Sequence, residues 1–280
     1  MKQKKFGMGG PDVSVIGQGT WYLDRGDRKA AVAALRRGIA TGMTHIDTAE
    51  MYGDAELVIA DAITGLPREK LFLVSKVLPS NASRRGTITA CERSLKRLKT
   101  DHLDCYLLHW RGSYPFAETV AAFDELVAAG KIRSWGVSNF DADDLGELLA
   151  VAGKGKIVCN QVLYHLQERA IEHAVIPWCE QHGVAVVAYS PFGHDDFPSS
   201  RSRAGELLQA IADAHKASAR QVALAFLTRA PSVFAIPKAS SAEHAADNAG
   251  AGDLKLSDSE IAALDKAFPR GPKPRGLPML

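Results

Sequence analysis

Eight short apolar runs follow one another along this chain, each separated from the next by a stretch long enough to form a helix. That alternation constrains the fold more than any other feature. The runs are 13–16, 44–46, 71–76, 103–109, 134–137, 158–162, 185–188 and 233–236. Most are continuously apolar, as expected of strands buried on both faces of a parallel sheet. Between them the spacing predicts helices over 29–40, 55–64, 86–98, 117–129, 142–151, 170–182 and 204–229, the last broken near Ser218, with a short helix over 241–249. In 29–40, Ala31, Ala34, Leu35 and Ile39 recur at helical spacing, Asp27 stands where a cap belongs, Gly38 is tolerated at some cost, and Gly42 ends the helix. A small hairpin starting at Lys4 and turning at Gly9-Gly10-Pro11 precedes the first run. Eight strand–helix units in one series, with no shift in composition and no reversal of order, predict an α/β protein: a (β/α)8 TIM barrel forming a single domain over 1–280.

Charge and cysteine content exclude several functions. Lys and Arg number 34 against 32 acidic residues, and they are scattered, so no face is marked for nucleic acid or a membrane surface. The N-terminal Met1-Lys2-Gln3-Lys4-Lys5 leads into Gly-rich sequence instead of an apolar signal core, and no stretch is apolar enough to span a bilayer. Cys91, Cys105, Cys159 and Cys179 lie far apart with no C-x-x-C, which points to reduced thiols in the cytoplasm and to no metal site.

In a barrel of this kind function sits where strands end and βα loops begin. Asp47, Lys76, His109, Ser138-Asn139, Gln161, Tyr189-Ser190 and Lys238 each stand where an apolar run stops, a pattern that core packing does not require. Singly, each has an ordinary reading. Asp47 caps a helix, Lys76 points to solvent, Tyr52 packs its ring, and His109 is a hydrogen-bonded core histidine. Together they describe carbonyl chemistry. Giving hydride to a carbonyl carbon requires a proton for its oxygen, and a free phenol with a pKa of about 10 is a slow donor. A nearby ammonium favours the phenolate and lowers that pKa. Lys76 would supply that charge to Tyr52, Asp47 would keep Lys76 charged and oriented, and His109 would set the carbonyl position.

Gly17-Gln18-Gly19-Thr20-Trp21, the run from His45 through Asp47 and Tyr52 to Gly53, and Val74-Ser75-Lys76 resemble the signature segments of aldo-keto reductases. Leu107-Leu108-His109-Trp110, Trp135-Gly136-Val137-Ser138-Asn139-Phe140, Asn160-Gln161-Val162, Ala188-Tyr189-Ser190-Pro191 and Ile236-Pro237-Lys238 continue the resemblance in order over nearly the whole chain. It is nearest to a bacterial branch associated with methylglyoxal reduction. The resemblance implies Asp47, Tyr52, Lys76 and His109 as the catalytic tetrad, with NADPH (NADP+ after turnover) as cofactor. It further implies Gly19, Thr20 and Trp21 at the cofactor, Ser138, Asn139 and Gln161 on the nicotinamide carboxamide, Tyr189 stacked on that ring with Ser190 beside it, and Lys238, Ser240, His244 and Asn248 around the adenosine 2′-phosphate. Tyr22 stands where a G-x-G-x-x-G motif would have its third glycine, so binding does not rest on a Rossmann fingerprint. The segment 190–203 resembles a loop that folds over the pyrophosphate, and a merely flexible connection is an equal reading.

Trp21, Trp110 and Phe116 would line an apolar mouth suited to small carbonyls: methylglyoxal-like dicarbonyls and aromatic aldehydes. For the two tryptophans, core packing is the competing reading. Arg111 would draw in carboxylated substrates, and the Pro-rich tail after Phe268 argues against a roomy enclosure. The family expectation is a monomer. Two other readings start from the same residues. One is a cofactor-bound regulatory subunit with little turnover, disfavoured because only Met1 to Asp12 precede the first strand. The other is a metal-dependent barrel hydrolase using Asp47, Glu50 and His109, disfavoured because zinc normally takes three protein ligands and further histidines are missing from other strand ends.

One departure from the resembling family carries a prediction. His244 stands where an arginine is usual, replacing a permanent charge by a residue type that titrates within the physiological range. NADPH preference is expected through Lys238 but weaker than an arginine site gives, with some NADH use at higher pH. Specificity constants for both cofactors between about pH 6 and 8.5 measure this, and a flat preference for NADH contradicts it.

Overall fold

The computed structural model describes residues 1–280 and contains ten strands and ten α-helices. The first two strands, β1 (Gln3–Lys5) and β2 (Asp12–Ser14), form an antiparallel hairpin, with Lys4 opposite Val13. The other eight form one parallel sheet in sequence order: β3 (Gln18–Gly19), β4 (His45–Asp47), β5 (Phe72–Val77), β6 (Leu103–Leu108), β7 (Ile132–Ser138), β8 (Ile157–Leu163), β9 (Ala185–Tyr189) and β10 (Val233–Ala235). A parallel bridge between Ile16 and Ala235, with Gly17 N donating to Ala235 O and Gly19 N to Pro237 O, joins the last strand to the first and closes the barrel. The helices α1 (Arg28–Ala40), α2 (Ala55–Ile63), α3 (Arg84–Leu98), α4 (Phe116–Ala128), α5 (Ala142–Ala152), α6 (Val175–His182), α7 (Arg203–Ala214) and α8 (Ala219–Leu227) occupy the crossovers, and α9 (Ala242–Gly250) and α10 (Asp258–Ala267) follow the last strand. None is long and apolar enough to cross a membrane.

Local chemistry explains most of the boundaries. Asp27 accepts from Ala30 N at 2.7 Å and starts α1. Gly38 weakens that helix, but a Cβ there would lie 2.1 Å from Oε1 of Gln18, so a larger residue would push that side chain out of its bonds to Leu35 O and Met43 O. Ser218 starts α8 with a capping box, which splits the long 204–229 stretch where the sequence predicts a break.

Three expectations need correction. The apolar run 13–16 is not the first barrel strand: its first half pairs with β1, Ile16 only bridges to Ala235, and the barrel strand is the short polar Gln18–Gly19. The 170–182 helix is a 3-10 turn, Ala170–His173, and then α6, separated at Ala174, whose φ of -143° is not helical. Helix α10 was not anticipated, although Ser257 and Glu260 form the reciprocal capping pair that announces it.

Inside the barrel, Phe72, Val74, Cys105, Leu107, Cys159, Ala185, Val187, Phe234 and Ile236 pack in a core of their own, and Phe6 and Val13 from the hairpin segment join it. The hairpin is tied down by Lys4, whose ammonium donates to the carbonyls of Thr228 and Ala230 at 2.6 Å and of Val233 at 3.0 Å. Burial pushes its pKa down to about 7, yet these three acceptors match the three N–H donors of the charged form. Lys4→Met keeps the aliphatic stem and strands the carbonyls. It is expected to cost about 2–3 kcal/mol and to lower the thermal midpoint by roughly 3–5 °C, measured by circular dichroism. An unchanged midpoint would show that the hairpin contributes no stability through this contact.

Candidate active site

Side chains alternate along a strand, so every second residue of the sheet faces the barrel axis. The inward column Phe72, Val74 continues to Lys76, and the column Cys105, Leu107 continues to His109. Cys159 leads to Gln161, and Ala185 and Val187 lead to Tyr189. With all eight strands parallel, these polar residues collect at one end of the barrel. There they open onto a cavity of about 630 Å³.

Asp47 and Lys76 are nearly without solvent contact, at 2% and 0% side-chain exposure, and the ammonium donates to Oδ1 at 2.5 Å. Lys76 also donates to Thr48 O at 2.8 Å, and the second carboxylate oxygen accepts from Gln161 Nε2 at 2.7 Å. Burial raises the Asp47 pKa, but both carboxylate oxygens act as acceptors, and the Lys76 ammonium and the Gln161 amide favour the ion. The ammonium lies 5.0 Å from the centroid of the Tyr52 ring, and the Tyr52 hydroxyl lies 3.5 Å from Nε2 of His109. Asp47, Tyr52 and His109 line the cavity with Lys76 behind them, so the structure brings the four predicted residues together.

The electrostatics differ in one respect from the sequence expectation. Burial raises the Tyr52 pKa, and the nearby Lys76 offsets this only in part, so the phenol is held above its ordinary value and keeps its proton at neutral pH. For Lys76, burial works against the charge, but Asp47 and then Tyr52 outweigh it, so its pKa is raised. Burial, aided by Lys76, pushes His109 down to about 2, which leaves a neutral imidazole. The site therefore combines a protonated phenol, a neutral imidazole and a fixed cation: a proton donor, a hydrogen-bonding group and a charge able to stabilise the phenolate once the proton has left.

Tyr52 is carried on a loop braced from outside the barrel. Arg97 on α3 donates to Gly53 O at 2.5 Å and to Glu56 Oε2 at 3.0 Å, and Ser75, next to Lys76, donates to Glu56 Oε1 at 2.9 Å. One turn earlier on α3, Arg93 reaches Glu50 Oε2 at 3.0 Å, while Glu50 Oε1 accepts from Leu78 N and from Asn81 Nδ2. Gly53 turns at φ 52°, and a Cβ there would lie 2.1 Å from Asp24 Oδ2. Glu50 is thus committed to the β5 loop and Asp47 to Lys76 and Gln161, so Asp47, Glu50 and His109 do not converge as a metal-hydrolase site would need.

Gly19, Thr20, Trp21, Ser138, Asn139, Gln161, Tyr189, Ser190 and Lys238 also line the cavity. Asn139 sits in the left-handed region at φ 62°, donates to His109 O at 3.2 Å and accepts from the Tyr189 hydroxyl at 2.9 Å. Asp141 itself caps α5, which frees Ser138 and Asn139 from that duty. Ser240, His244 and Asn248 are not on the cavity wall. Ser240 and His244 are exposed just before and on α9, and Asn248 is buried against the core. Trp21 and Trp110 do line the mouth, Trp21 stacked between Tyr22 at 4.4 Å and His194 at 5.8 Å. Phe116 does not: it is buried against Phe140. Arg111 is not available to a substrate either, because its guanidinium pairs with Asp144 at 2.5 Å and Glu147 at 2.7 Å. Sequence reasoning missed Met51, Met279 and Leu280, all on the wall, whereas Phe192 and Asp195, also on it, belong to the 190–203 segment that resembles a loop over the pyrophosphate. Met51 adjoins Tyr52, a usable signal; nothing periodic in the tail announces its return to the barrel mouth.

Comparison with known proteins agrees with this geometry. Residues 15–268 match the sequence model of the Aldo/keto reductase family. Methylglyoxal reductase YeaE of Escherichia coli is 52% identical over 279 residues, 96% of each chain. Glyoxal reductase of Bacillus subtilis is 34% identical, over 96% of this chain and 95% of its own. The crystal structure of an aldo-keto reductase from Klebsiella pneumoniae in complex with NADPH superposes with a TM-score of 0.93 at 45% identity, covering both chains fully.

Two buried neutral imidazoles make the fold acid-sensitive. His45, in the barrel beneath Asp47, has no hydrogen-bond partner on either ring nitrogen, and burial with Lys76 nearby pushes its pKa down to about 3. The unfolded chain takes up a proton at both histidines as pH falls through about 6.5, and the folded chain does not. Stability present above that pH is therefore lost below it, each histidine approaching a slope of about 1.4 kcal/mol per pH unit. Urea unfolding from about pH 7 down to pH 5 is expected to show this, with His45→Leu removing one histidine's share. Identical slopes for the variant and the parent would exclude a neutral His45.

Proposed function

Since this chain belongs to the aldo/keto reductase family, we propose that it reduces small aldehydes and ketones with NADPH, and that Tyr52 delivers the proton. The observation that carries the reading is the convergence of Asp47, Lys76, Tyr52 and His109 at the floor of one cavity. The wall suits the cofactor: an aromatic ring at Tyr189, side-chain amides at Asn139 and Gln161, and an exposed cation at Lys238. When bound, the reduced nicotinamide supplies the hydride that goes to the carbonyl carbon.

The remaining steps belong to the protein. The carbonyl oxygen would sit within hydrogen-bond reach of both the Tyr52 hydroxyl and His109 Nε2, which are 3.5 Å apart, with the neutral imidazole holding it there. As negative charge develops on that oxygen, the Tyr52 O–H bond breaks and its proton passes to the oxygen, giving the alcohol. The phenolate left behind is stabilised by the Lys76 ammonium, which Asp47 holds in place, so the raised resting pKa of the phenol is offset at the moment the charge appears. Asn139 and Gln161 orient the carboxamide, Tyr189 stacks on the nicotinamide, and Lys238 meets the 2′-phosphate, with Ser240, His244 and Asn248 beyond it.

Trp21, Trp110 and Met51 give the mouth an apolar wall. Methylglyoxal, glyoxal-type dicarbonyls and aromatic aldehydes fit it, and the names of the bacterial relatives support the first two. With Arg111 engaged elsewhere, nothing on that side selects a carboxylated substrate. We read 1–280 as one barrel domain that works as a monomer in the cytoplasm, without nucleic acid or membrane.

The test is the fall in NADPH absorbance with methylglyoxal, run on the parent protein and on Tyr52→Phe. The variant is expected to lose about 10²–10⁴-fold in kcat while its NADPH dissociation constant stays within about twofold, since Phe keeps the ring. Equal turnover in both would remove Tyr52 from the chemistry. Inactivity in both would redirect the search to other carbonyls.

A further inference from the structure

The cavity wall is poor in positive charge. Lys238 is its only lysine or arginine, and Asp195 shares that wall. A cofactor with a pyrophosphate and a 2′-phosphate brings several negative charges, which one ammonium leaves mostly unmatched. His244 offers an imidazole where a permanent cation would serve better.

Two exposed guanidiniums rest on aromatic residues of this wall with no carboxylate partner, Arg25 over Tyr22 at 3.7 Å and Arg220. Arg220, exposed at the start of α8, places its Cζ 5.5 Å from the ring of Phe192 and 5.3 Å from that of Phe197. Phe192 lines the cavity, and the two rings meet edge to face at 5.7 Å. Elsewhere in the molecule Arg97, Arg111, Arg169 and Arg229 are each matched by carboxylates, whereas Arg220 rests on aromatic faces alone. A guanidinium that packs on aromatic rings spends no carboxylate contact on them, so its N–H donors stay available to a phosphate.

Arg220 is also fixed at the corner of the fold that carries Lys238. Its neighbours Ser218 and Gln221 donate to Asp247 of α9, each at 2.8 Å, and α9 opens just beyond Lys238.

We propose that Arg220 is a phosphate-binding residue of the dinucleotide site, supplementing Lys238; the inference rests on the NADPH reading above. Quenching of tryptophan fluorescence gives dissociation constants for NADP+ and NAD+, since Trp21 and Trp110 line the cavity. Arg220→Ala is expected to weaken binding by about tenfold or more, the loss of a charge-assisted contact. That loss should shrink as salt is raised. A loss confined to NADP+ supports contact with the 2′-phosphate; an equal loss for both cofactors supports contact with the pyrophosphate. Unchanged affinity for both overturns the proposal, as does a loss independent of salt, which would mean that Arg220 acts only by packing Phe192 and Phe197. If the parent protein binds neither dinucleotide, the NADPH reading fails first.

Discussion

The contact between the Lys76 ammonium and the Asp47 carboxylate, almost sealed from water, is the interaction around which the site is organised. Removing two such charges from water costs several kcal/mol per ion, so the pair persists only if further hydrogen bonds complete it. Thr48 O and Gln161 Nε2 supply them. Because those groups come from the β4 loop and from β8 on another side of the barrel, the pair ties parts of the cavity floor that no single backbone ladder joins. Its fixed dipole is in place before any reactant arrives and needs no rearrangement during reaction.

The phenol depends on that pair from the other side. Lys76 can act on Tyr52 only if the loop carrying Tyr52 keeps its distance, and the loop has few apolar contacts to hold it. Two arginines one turn apart on α3 do so instead, gripping Glu50 before Tyr52 and Glu56 after it. Ser75 on the Lys76 strand shares Glu56 with Arg97, so the donor loop and the cation strand are joined through one carboxylate. Glu50, which the metal-hydrolase reading would take as a ligand, instead fastens the site.

What was legible in the sequence follows the same division. Strands β4 to β10 were legible as apolar runs alternating with helices, and Asp47, Lys76 and His109 as polar groups where three of those runs stop, whereas Tyr52, on a loop, was singled out by the resemblance and by the proton that carbonyl reduction needs. The first barrel strand could not, since Gln18–Gly19 carries no apolar signal and is held by backbone bonds to its neighbours and by the fit of α1 over Gly38. Arg111 and Phe116 were misassigned because their positions near His109 say nothing about direction, and the structure turns them toward α5 and the core. Met279 and Leu280 reach the cavity by a tail path that only tertiary packing decides.

The seam between the first and last barrel strands has a further consequence, for how the chain assembles. Every other neighbouring pair in the barrel joins segments close in sequence, but this one joins Ile16 to Ala235 and is reinforced by Lys4 reaching Thr228 and the amino terminus reaching Asp253. Contacts spanning almost the whole chain carry the largest loop-closure entropy, so they form late and slow the rate. Helix–strand units can condense in order as the chain emerges. The cavity, however, is lined by residues from both sides of the seam, Thr20 and Lys238 among them. A competent pocket therefore exists only after the two ends of the polypeptide have met, which leaves a nascent or truncated chain well folded in parts and unable to hold a dinucleotide.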